Sequence, residues 1–221
     1  MTAKPKLGKP KAILFDWDNT LVDTWPTILD ALNTAFAAYG LPHWSMDEAR
    51  VRVRKSLRDS FPELFGDKWE QAGDVFYQRY REIHVEKLEP LKGAGEMLQS
   101  LSGAGIHLAV ISNKKGEFLR LESGHLGWDG FFATLIGATD AKKDKPATEP
   151  VDMALSHIGI ERGPDVWFAG DADIDLECAH NAGLTPVLVR TEAPTEEEMA
   201  GHPPLHHFQG CEALCKFVNC M

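Results

Sequence analysis

Residues 12–23 read AILFDWDNTLVD and decide the fold of this chain of 221 residues. Four apolar residues, 12–15, are followed directly by an acid, which predicts a fully buried strand with polar chemistry at its carboxyl end. In open α/β sheets, ligands bind at that end of the strands. The stretch therefore predicts both a buried parallel sheet and the edge of the sheet where a site lies.

Asp16 and Asp18 are the two acids of this stretch that we interpret as functional. They lie two residues apart, so an extended chain projects both side chains to the same face. Carboxylates this close repel each other unless a cation or a proton lies between them. We therefore expect Mg²⁺, a shared proton, or a division of labour between nucleophile and acid/base. The alternative is a solvated turn in which the side chains hydrogen-bond to the backbone.

Three later segments place polar residues in comparable settings. Residues 106–114, IHLAVISNK, predict a second buried strand, which ends in a hydroxyl and an amide. Residues 166–175, VWFAGDADID, predict a third, which ends in Gly-Asp and a further acid. Between these strands, residues 144–150 place a lysine before a proline at the entrance of a helix. The candidate residues of the three segments are Ser112, Asn113, Lys145, Asp171 and Asp175.

Three of these residues also have a purely structural explanation. Ser112 and Asn113 are residue types that cap helices, and a helix is predicted to start near residue 115. Lys145 follows Lys142 and Lys143 closely and so fits a solvated, charged loop. The occurrence of all four segments in one chain favours the functional interpretation.

In this order, the segments resemble the four signature motifs of the haloacid dehalogenase (HAD) superfamily, in its phosphatase branch. The D-x-D-x-T pattern begins at Asp16, the S-N pattern at Ser112, the K-P pattern at Lys145, and the G-D-x-x-x-D pattern at Gly170. The resemblance extends from about residue 11 to the C-terminal segment. It implies an α/β fold with a Rossmann-like, doubly wound, mostly parallel sheet and an inserted α-helical cap domain.

The resemblance also implies the roles of the acids. Asp16 is expected to be the nucleophile that forms an aspartyl-phosphate. Asp18 is expected to protonate the leaving alcohol and then to deprotonate the attacking water. Mg²⁺ is the expected cofactor, bound by Asp16, by the main-chain carbonyl of Asp18 and by Asp171.

The remaining candidates complete this expected active site. Lys145 would supply a fixed positive charge for the phosphoryl group, and Ser112 would hydrogen-bond the phosphoryl oxygens. Asn113 would orient the nucleophile or its loop. Asp175 fits a supporting role, in which it holds Lys145 or a metal-bound water.

The pattern of apolar residues predicts a core domain and an insertion. Residues 23–89 show helical periods and no strand pattern, which is typical of a helical cap of the C1 type. Residues 11–22 and 90–221 form the expected core, because strand and helix patterns alternate from residue 91 onward. Residues 1–10 are expected to be a disordered basic tail.

Composition excludes several classes of function. The net charge of −10 argues against a nucleic-acid binder and against a ligand of anionic membranes. No apolar stretch approaches the ~20 residues of a membrane span. The four cysteines are too few for a disulfide framework in a chain of this length, which favours reduced thiols in the cytoplasm. The C-terminal histidines and cysteines match no closed zinc pattern and predict a short strand followed by an amphipathic helix.

The expected function is Mg²⁺-dependent hydrolysis of a small phosphorylated metabolite, with phosphoglycolate as the first substrate to consider, by a cytoplasmic monomer or homodimer. A phosphomutase of the β-phosphoglucomutase type shares both aspartates and the helical cap, so it stays an alternative. A catalytically silent binding or regulatory protein with the same fold is another. Dehalogenation is disfavoured because that branch does not keep the aspartate found here as Asp18. Asn19 stands where glycine is commoner, and this departure weakens the choice of substrate.

Arg50, Arg54 and Arg58 recur every four residues and predict a basic stripe along the second helix of the insertion. A solvated helix face is the structural alternative. If the insertion faces the active site as in similar enzymes, we expect one of these arginines, Arg54 as the first choice, to bind a carboxylate of the substrate, because a planar guanidinium holds a carboxylate through two hydrogen bonds.

Overall fold

The structure is a computed structural model that describes residues 8–53, 56–195, 197–198 and 200–221. The chain divides into two compact units, Met1–Val22 with Pro90–Met221, and Asp23–Glu89. Residues 1–7 of the predicted tail lie outside the described residues, and residues 8–10 have no regular secondary structure.

The described residues contain eight strands and nine α-helices. The strands are β1 (Ala12–Phe15), β2 (Val22–Asp23), β3 (Glu89–Pro90), β4 (His107–Lys115), β5 (Thr134–Ala138), β6 (Val166–Gly170), β7 (Thr185–Val189) and β8 (His206–Phe208). The helices are α1 (Trp25–Ala38), α2 (Met46–Arg52), α3 (Leu57–Phe65), α4 (Trp69–Ile83), α5 (Ala94–Gly103), α6 (Gly116–Leu126), α7 (Glu149–Ile158), α8 (Asp173–Ala182) and α9 (Cys211–Asn219).

Six of these strands form one parallel sheet in the order β5-β4-β1-β6-β7-β8, and β2 and β3 pair separately. From β1 the chain builds outward through β4 and β5, then crosses to the other side of β1 and builds outward through β6, β7 and β8. The predicted α/β fold class with a doubly wound, mostly parallel sheet is confirmed. The reversal of direction at β1 creates the crevice in which ligands of such sheets bind.

The central strand β1 is buried on both faces, which explains its uninterrupted apolar sequence. Leu14 packs with Ile111 of β4 and Phe168 of β6 in a core to which α7 and α8 contribute Val151 and Ala179. Because side chains alternate along a strand, the neighbours of Leu14 in β1 face the opposite side of the sheet. Helices on both faces therefore leave only the strand ends for polar groups.

The smaller unit contains α1 to α4, and its core is largely aromatic. Leu32 and Phe36 of α1 pack with Phe61 of α3 and Ala72 of α4. Phe36 also contacts the ring of Trp44, with centroids 4.8 Å apart. The described part of this unit is helical between β2 and β3, and its role as a cap stays a prediction.

The predicted basic stripe along one helix is wrong. The helix α2 ends at Arg52, because Val53 takes an extended conformation with φ −83° and ψ 97°. A separate helix, α3, starts after Ser56. Arg50 and Arg58 therefore belong to different helices. Arg54 lies outside the described residues, so its role stays a prediction.

The C-terminal segment forms β8 and α9, as the pattern predicted. Within the described part of the chain, no helix has both the length and the apolar character needed to cross a membrane.

All four cysteines are free thiols, and they differ in burial. Cys178 and Cys211 are buried, and burial raises the pKa of each thiol to about 12. Cys215 is half-buried and Cys220 is exposed. The two buried thiols therefore have almost no thiolate at neutral pH.

We expect only Cys220 and, more slowly, Cys215 to react with a thiol reagent in the native protein, because the other two thiols are enclosed and protonated. A disulfide reagent that releases an absorbing product when it reacts with a thiol measures both the rate of reaction and the total number of reactive thiols. Under denaturing, non-reducing conditions all four thiols should react. A total of two or zero would contradict the assignment of free thiols, and replacing Cys220 by serine should remove the fast phase.

Candidate functional site

Three neighbouring strands bring the candidate residues to one edge of the sheet. Asp16 follows β1 directly, and its N–H donates to the Ala169 carbonyl of β6 at 2.9 Å. Ser112 and Asn113 lie in β4, and Asp171 follows β6. Both neighbours of β1 therefore contribute polar residues beside Asp16.

The strand β4 extends through Ser112 and Asn113 to Lys115. The helix α6 starts after Lys115, so the helix-capping explanation of Ser112 and Asn113 is wrong. The register between β4 and β5 shifts between Ile111 and Lys115, an irregularity of the kind that redirects side chains near active sites. The buried Ser112 hydroxyl oxygen accepts a hydrogen bond from the Lys114 N–H at 3.2 Å.

Lys145 lies at the centre of a buried cluster of ion pairs. Its Nζ is 2.6 Å from Asp16 Oδ1 and 2.7 Å from Asp175 Oδ1, and its side chain is 2% exposed. Burial by itself would lower the pKa of Lys145, but attraction to Asp16 and Asp175 outweighs burial and raises the pKa. The ammonium is therefore a fixed positive charge, and the solvated-loop explanation of Lys145 is wrong.

Asn113 holds the main chain of Lys145 from both sides. The Lys145 N–H donates to Asn113 Oδ1 at 3.0 Å, and Asn113 Nδ2 donates to the Lys145 carbonyl at 3.2 Å. One amide thus satisfies both backbone groups of the residue that carries the cation. This contact orients the loop from which the lysine side chain enters the cluster.

Asp175 uses both of its carboxylate oxygens within the protein. Oδ1 contacts Lys145, and Oδ2 accepts a hydrogen bond from the Ala172 N–H at 3.1 Å at the start of α8. A Cβ added to Gly170 would lie 2.2 Å from Asp175 Cγ. A larger residue at position 170 would therefore displace Asp175, which explains the glycine at the end of β6.

Asp171 is held through its side chain and its main chain. The Thr20 hydroxyl donates to Asp171 Oδ1 at 3.2 Å, and Arg190 donates to the Asp171 carbonyl at 3.0 Å. The Arg190 guanidinium also makes two hydrogen bonds of 2.7 Å to Glu198. Thr20 and Arg190 were not predicted as site residues, although Thr20 is the threonine of the D-x-D-x-T pattern.

The carboxylates of Asp16, Asp171 and Asp175 form one acidic group, whose ligand atoms lie within 4.8 Å of one another. Burial raises the pKa of Asp16 to about 7, with Lys145 opposing and both Asp175 and Asp18 adding to the shift. Burial also raises the pKa of Asp171 well above its usual value, and its two acidic neighbours add to this. Three ionised carboxylates beside one ammonium leave two negative charges uncompensated.

The donor set of this acidic group fits Mg²⁺, which prefers oxygen ligands and is usually held by one or two carboxylates. Asp175 engages both oxygens with Lys145 and Ala172, whereas Asp16 and Asp171 each use one side-chain oxygen in the contacts above. Asp16 and Asp171 are therefore the better ligands. A divalent cation would balance the uncompensated charge.

Asp18 contacts a different lysine from Asp16. Its Oδ1 lies 2.6 Å from Lys114 Nζ, and the same Nζ donates to Glu122 Oε2 at 2.5 Å. Glu122 Oε2 also accepts the Trp17 Nε1–H at 2.7 Å. Sequence reasoning missed this network, although Glu122 follows Phe118 at the four-residue spacing of the buried face of α6.

Asn19 adopts φ 61°, in the left-handed region that favours glycine. Asparagine is one of the few other residues that enter this region at low cost. Its N–H donates to the Val22 carbonyl at 2.7 Å and closes the turn after Asp18. The departure from the usual glycine is therefore compatible with the turn.

Comparisons with known proteins agree with this geometry. Residues 13–189 match the sequence model of the family described as haloacid dehalogenase-like hydrolase. N-acetylmuramic acid 6-phosphate phosphatase of Pseudomonas aeruginosa is 33% identical over 187 residues, which cover 81% of each chain. Phosphoglycolate phosphatase of Xanthomonas campestris pv. campestris is 31% identical over 182 residues, 80% of this chain and 82% of that protein.

Solved structures show the same fold. A HAD-superfamily hydrolase from Ehrlichia chaffeensis superposes with a TM-score of 0.66 at 27% identity, covering 97% of this chain and 98% of that one. A predicted phosphoglycolate phosphatase from Haemophilus somnus 129pt superposes with a TM-score of 0.83 at 21% identity, covering 96% and 100%.

We expect Mg²⁺ to raise the melting temperature of the protein, and to do so more at about pH 8 than at about pH 5.5. Because the pKa of Asp16 is raised to about 7, a proton competes with the cation as the pH falls below that value. Ligand at a hundred times its Kd stabilises a native state by about 2.7 kcal/mol. Thermal unfolding with and without Mg²⁺ at both pH values measures the difference.

The control variants separate this site from general effects of charge. Asp171→Asn should lose the response to Mg²⁺, whereas Glu161→Gln, at an exposed position, should keep it. An equal response in the Asp171 variant and the parent protein would contradict a cation site in the acidic group.

Proposed function

The chain belongs to the haloacid dehalogenase-like hydrolase family and is a phosphoric monoester hydrolase, and we propose that it hydrolyses a small phosphorylated metabolite through an aspartyl-phosphate on Asp16. The observation that carries the proposal is the buried contact of 2.6 Å between Lys145 Nζ and Asp16 Oδ1. The carboxylate proposed as nucleophile thus lies beside a positive charge, which would attract a phosphate dianion that the carboxylate alone would repel. The four free thiols support a cytoplasmic location.

In the proposed first step, a carboxylate oxygen of Asp16 attacks phosphorus, and the ester P–O bond breaks. Asp18 transfers its proton to the leaving alkoxide, which departs as the alcohol. Lys145 and the hydroxyl of Ser112 stabilise the negative charge on the phosphoryl oxygens. Asn113 and Asp175 hold Lys145 in place through the contacts described above.

In the second step, Asp18 takes a proton from water, and the resulting hydroxide attacks phosphorus. The bond between phosphorus and the Asp16 oxygen breaks, which releases phosphate and restores the carboxylate. Mg²⁺, held by Asp16, by the main-chain carbonyl of Asp18 and by Asp171, would neutralise phosphoryl charge throughout.

The chemical class of substrate that we propose is a phosphomonoester of a small carboxylic acid, with phosphoglycolate first. The two relatives described above are named for phosphoglycolate and for N-acetylmuramic acid 6-phosphate, and both compounds are phosphate esters of acids. A carboxylate requires a cation beside it, and Arg54 is the residue that we propose for this purpose.

Replacing Asp16 by asparagine is expected to lower phosphate release at least about a thousandfold, because an amide cannot act as the nucleophile. Stability should stay close to that of the parent, since the side chains have nearly the same shape and the change removes repulsion within the acidic group. Phosphate release and thermal unfolding measure the two effects. Substantial residual turnover in a folded variant would contradict the mechanism, and an isomerised product that retains its phosphate would indicate a phosphomutase.

The substrate class is tested with pairs of esters that differ in a carboxylate, phosphoglycolate against 2-hydroxyethyl phosphate and N-acetylmuramic acid 6-phosphate against N-acetylglucosamine 6-phosphate. We expect the acid of at least one pair to react about tenfold faster in kcat/KM, because a bound carboxylate contributes about 1.4 kcal/mol or more. Arg54→Ala should raise KM for that acid and leave p-nitrophenyl phosphate unchanged, whereas Arg50→Ala should change neither. Equal rates within both pairs would contradict the substrate class and leave the hydrolase assignment intact.

A further inference from the structure

A buried chain of polar side chains leads from α6 to Asp18. Glu122 is completely buried, and its Oε2 accepts hydrogen bonds from Lys114 Nζ and from Trp17 Nε1. The Lys114 side chain is 4% exposed, and its Nζ is also 2.6 Å from Asp18 Oδ1. The hydrolysis proposed above uses Asp18 but gives no role to Lys114, Glu122 or Trp17.

The inner end of this network is closely packed and buried. The ring of Trp17 packs edge-to-face on Trp128 and Phe132, with centroids 5.8 Å and 6.3 Å away. Glu122 belongs to α6 and has no exposed surface. A buried carboxylate needs its cation and its hydrogen bonds, so Glu122 restrains the Lys114 ammonium strongly. The lysine is therefore a fixed group from which Asp18 can be oriented.

The contact with Lys114 makes the two oxygens of the Asp18 carboxyl group unequal. Oδ1 is buried against the ammonium, so the 20% exposure of the Asp18 side chain does not come from this atom. Oδ1 makes no hydrogen bond with the described residues, so the contact is an ion pair, and an ammonium has no lone pair that could accept a proton from this oxygen. When Asp18 is protonated, its proton must then be on Oδ2.

We propose that Lys114, restrained by Glu122 and Trp17, is a positioning residue for proton transfer by Asp18. It fixes the carboxyl group so that Oδ2 gives its proton to the leaving alkoxide and later takes one from water. The inference rests on the proposed hydrolysis and adds a device that orients its acid and base. No further co-reactant is involved, because the proton lost in the first step returns from water in the second.

The test compares two esters that differ in their need for an acid. An alkyl phosphate has a poor leaving group and depends on the proton, whereas p-nitrophenolate leaves without one. We expect Lys114→Met to lower kcat for 2-hydroxyethyl phosphate about tenfold or more, and for p-nitrophenyl phosphate less than about threefold. Lys115→Met is the matched control, because Lys115 is the next residue and contacts Glu117 in a partly exposed pair. The control should leave the ratio of the two rates unchanged.

Lys114→Met alone leaves the buried Glu122 without its cation and is expected to be less stable. The double variant Lys114→Met with Glu122→Gln removes both charges together and should show the same change in the ratio of rates. Trp17→Phe keeps a ring but removes the donor, so a smaller change in the same direction is expected. In a protein that already carries Asp18→Asn, the Lys114 change should alter the ratio no further.

A structural role for Lys114 predicts a different result. Equal losses on both esters, in the single and the double variant, would overturn the inference while the hydrolase assignment stands. A further change of the ratio in the Asp18→Asn background would also overturn it. If the parent protein released phosphate from neither ester, the proposed function would fall, and this inference with it.

Discussion

The arrangement of the larger unit depends on one buried ammonium group, that of Lys145. Its two carboxylate partners, Asp16 and Asp175, lie 129 and 30 residues away along the chain. A buried charge that loses its partner costs about 3–5 kcal/mol, so the segments that carry these residues must meet. The clamp of Asn113 on the lysine backbone and the close approach at Gly170 both follow from that requirement.

The parallel sheet determines where such a group of charges can exist. Every residue of β1 is completely buried, so the interior of the sheet cannot accept a charged side chain without a partner. Charged side chains can first be accommodated at the ends of the strands. Because β1 lies between β4 and β6, the polar residues at the carboxyl ends of these three strands meet at one edge, where Lys145 compensates part of their charge.

The sequence predicts those site residues whose signal lies in the residues next to them in the chain. A buried apolar run followed by an acid shows both where a strand ends and what lies at its end, which is why Asp16 and Asp171 could be identified. The network behind Asp18 could not, since Glu122 lies 105 residues from Trp17 and its helical spacing indicates burial without indicating a partner. Arginines at intervals of four fit one long helix or two short ones, and only the extended backbone at Val53 distinguishes them.

The two aspartates of the D-x-D pattern acquire different chemistry from different lysines. Asp16 is enclosed by two further carboxylates and Lys145, whereas Asp18 contacts Lys114 and keeps part of its side chain exposed. Trp17 lies between the two aspartates in the sequence, and its buried side chain donates a hydrogen bond to Glu122. It therefore connects the surroundings of Asp16 with those of Asp18. Carboxylates of equal intrinsic chemistry take separate roles when their surroundings differ. The spacing of the pattern brings the two acids together, and the two lysines give them the different surroundings on which the proposed roles of nucleophile and of acid and base rest.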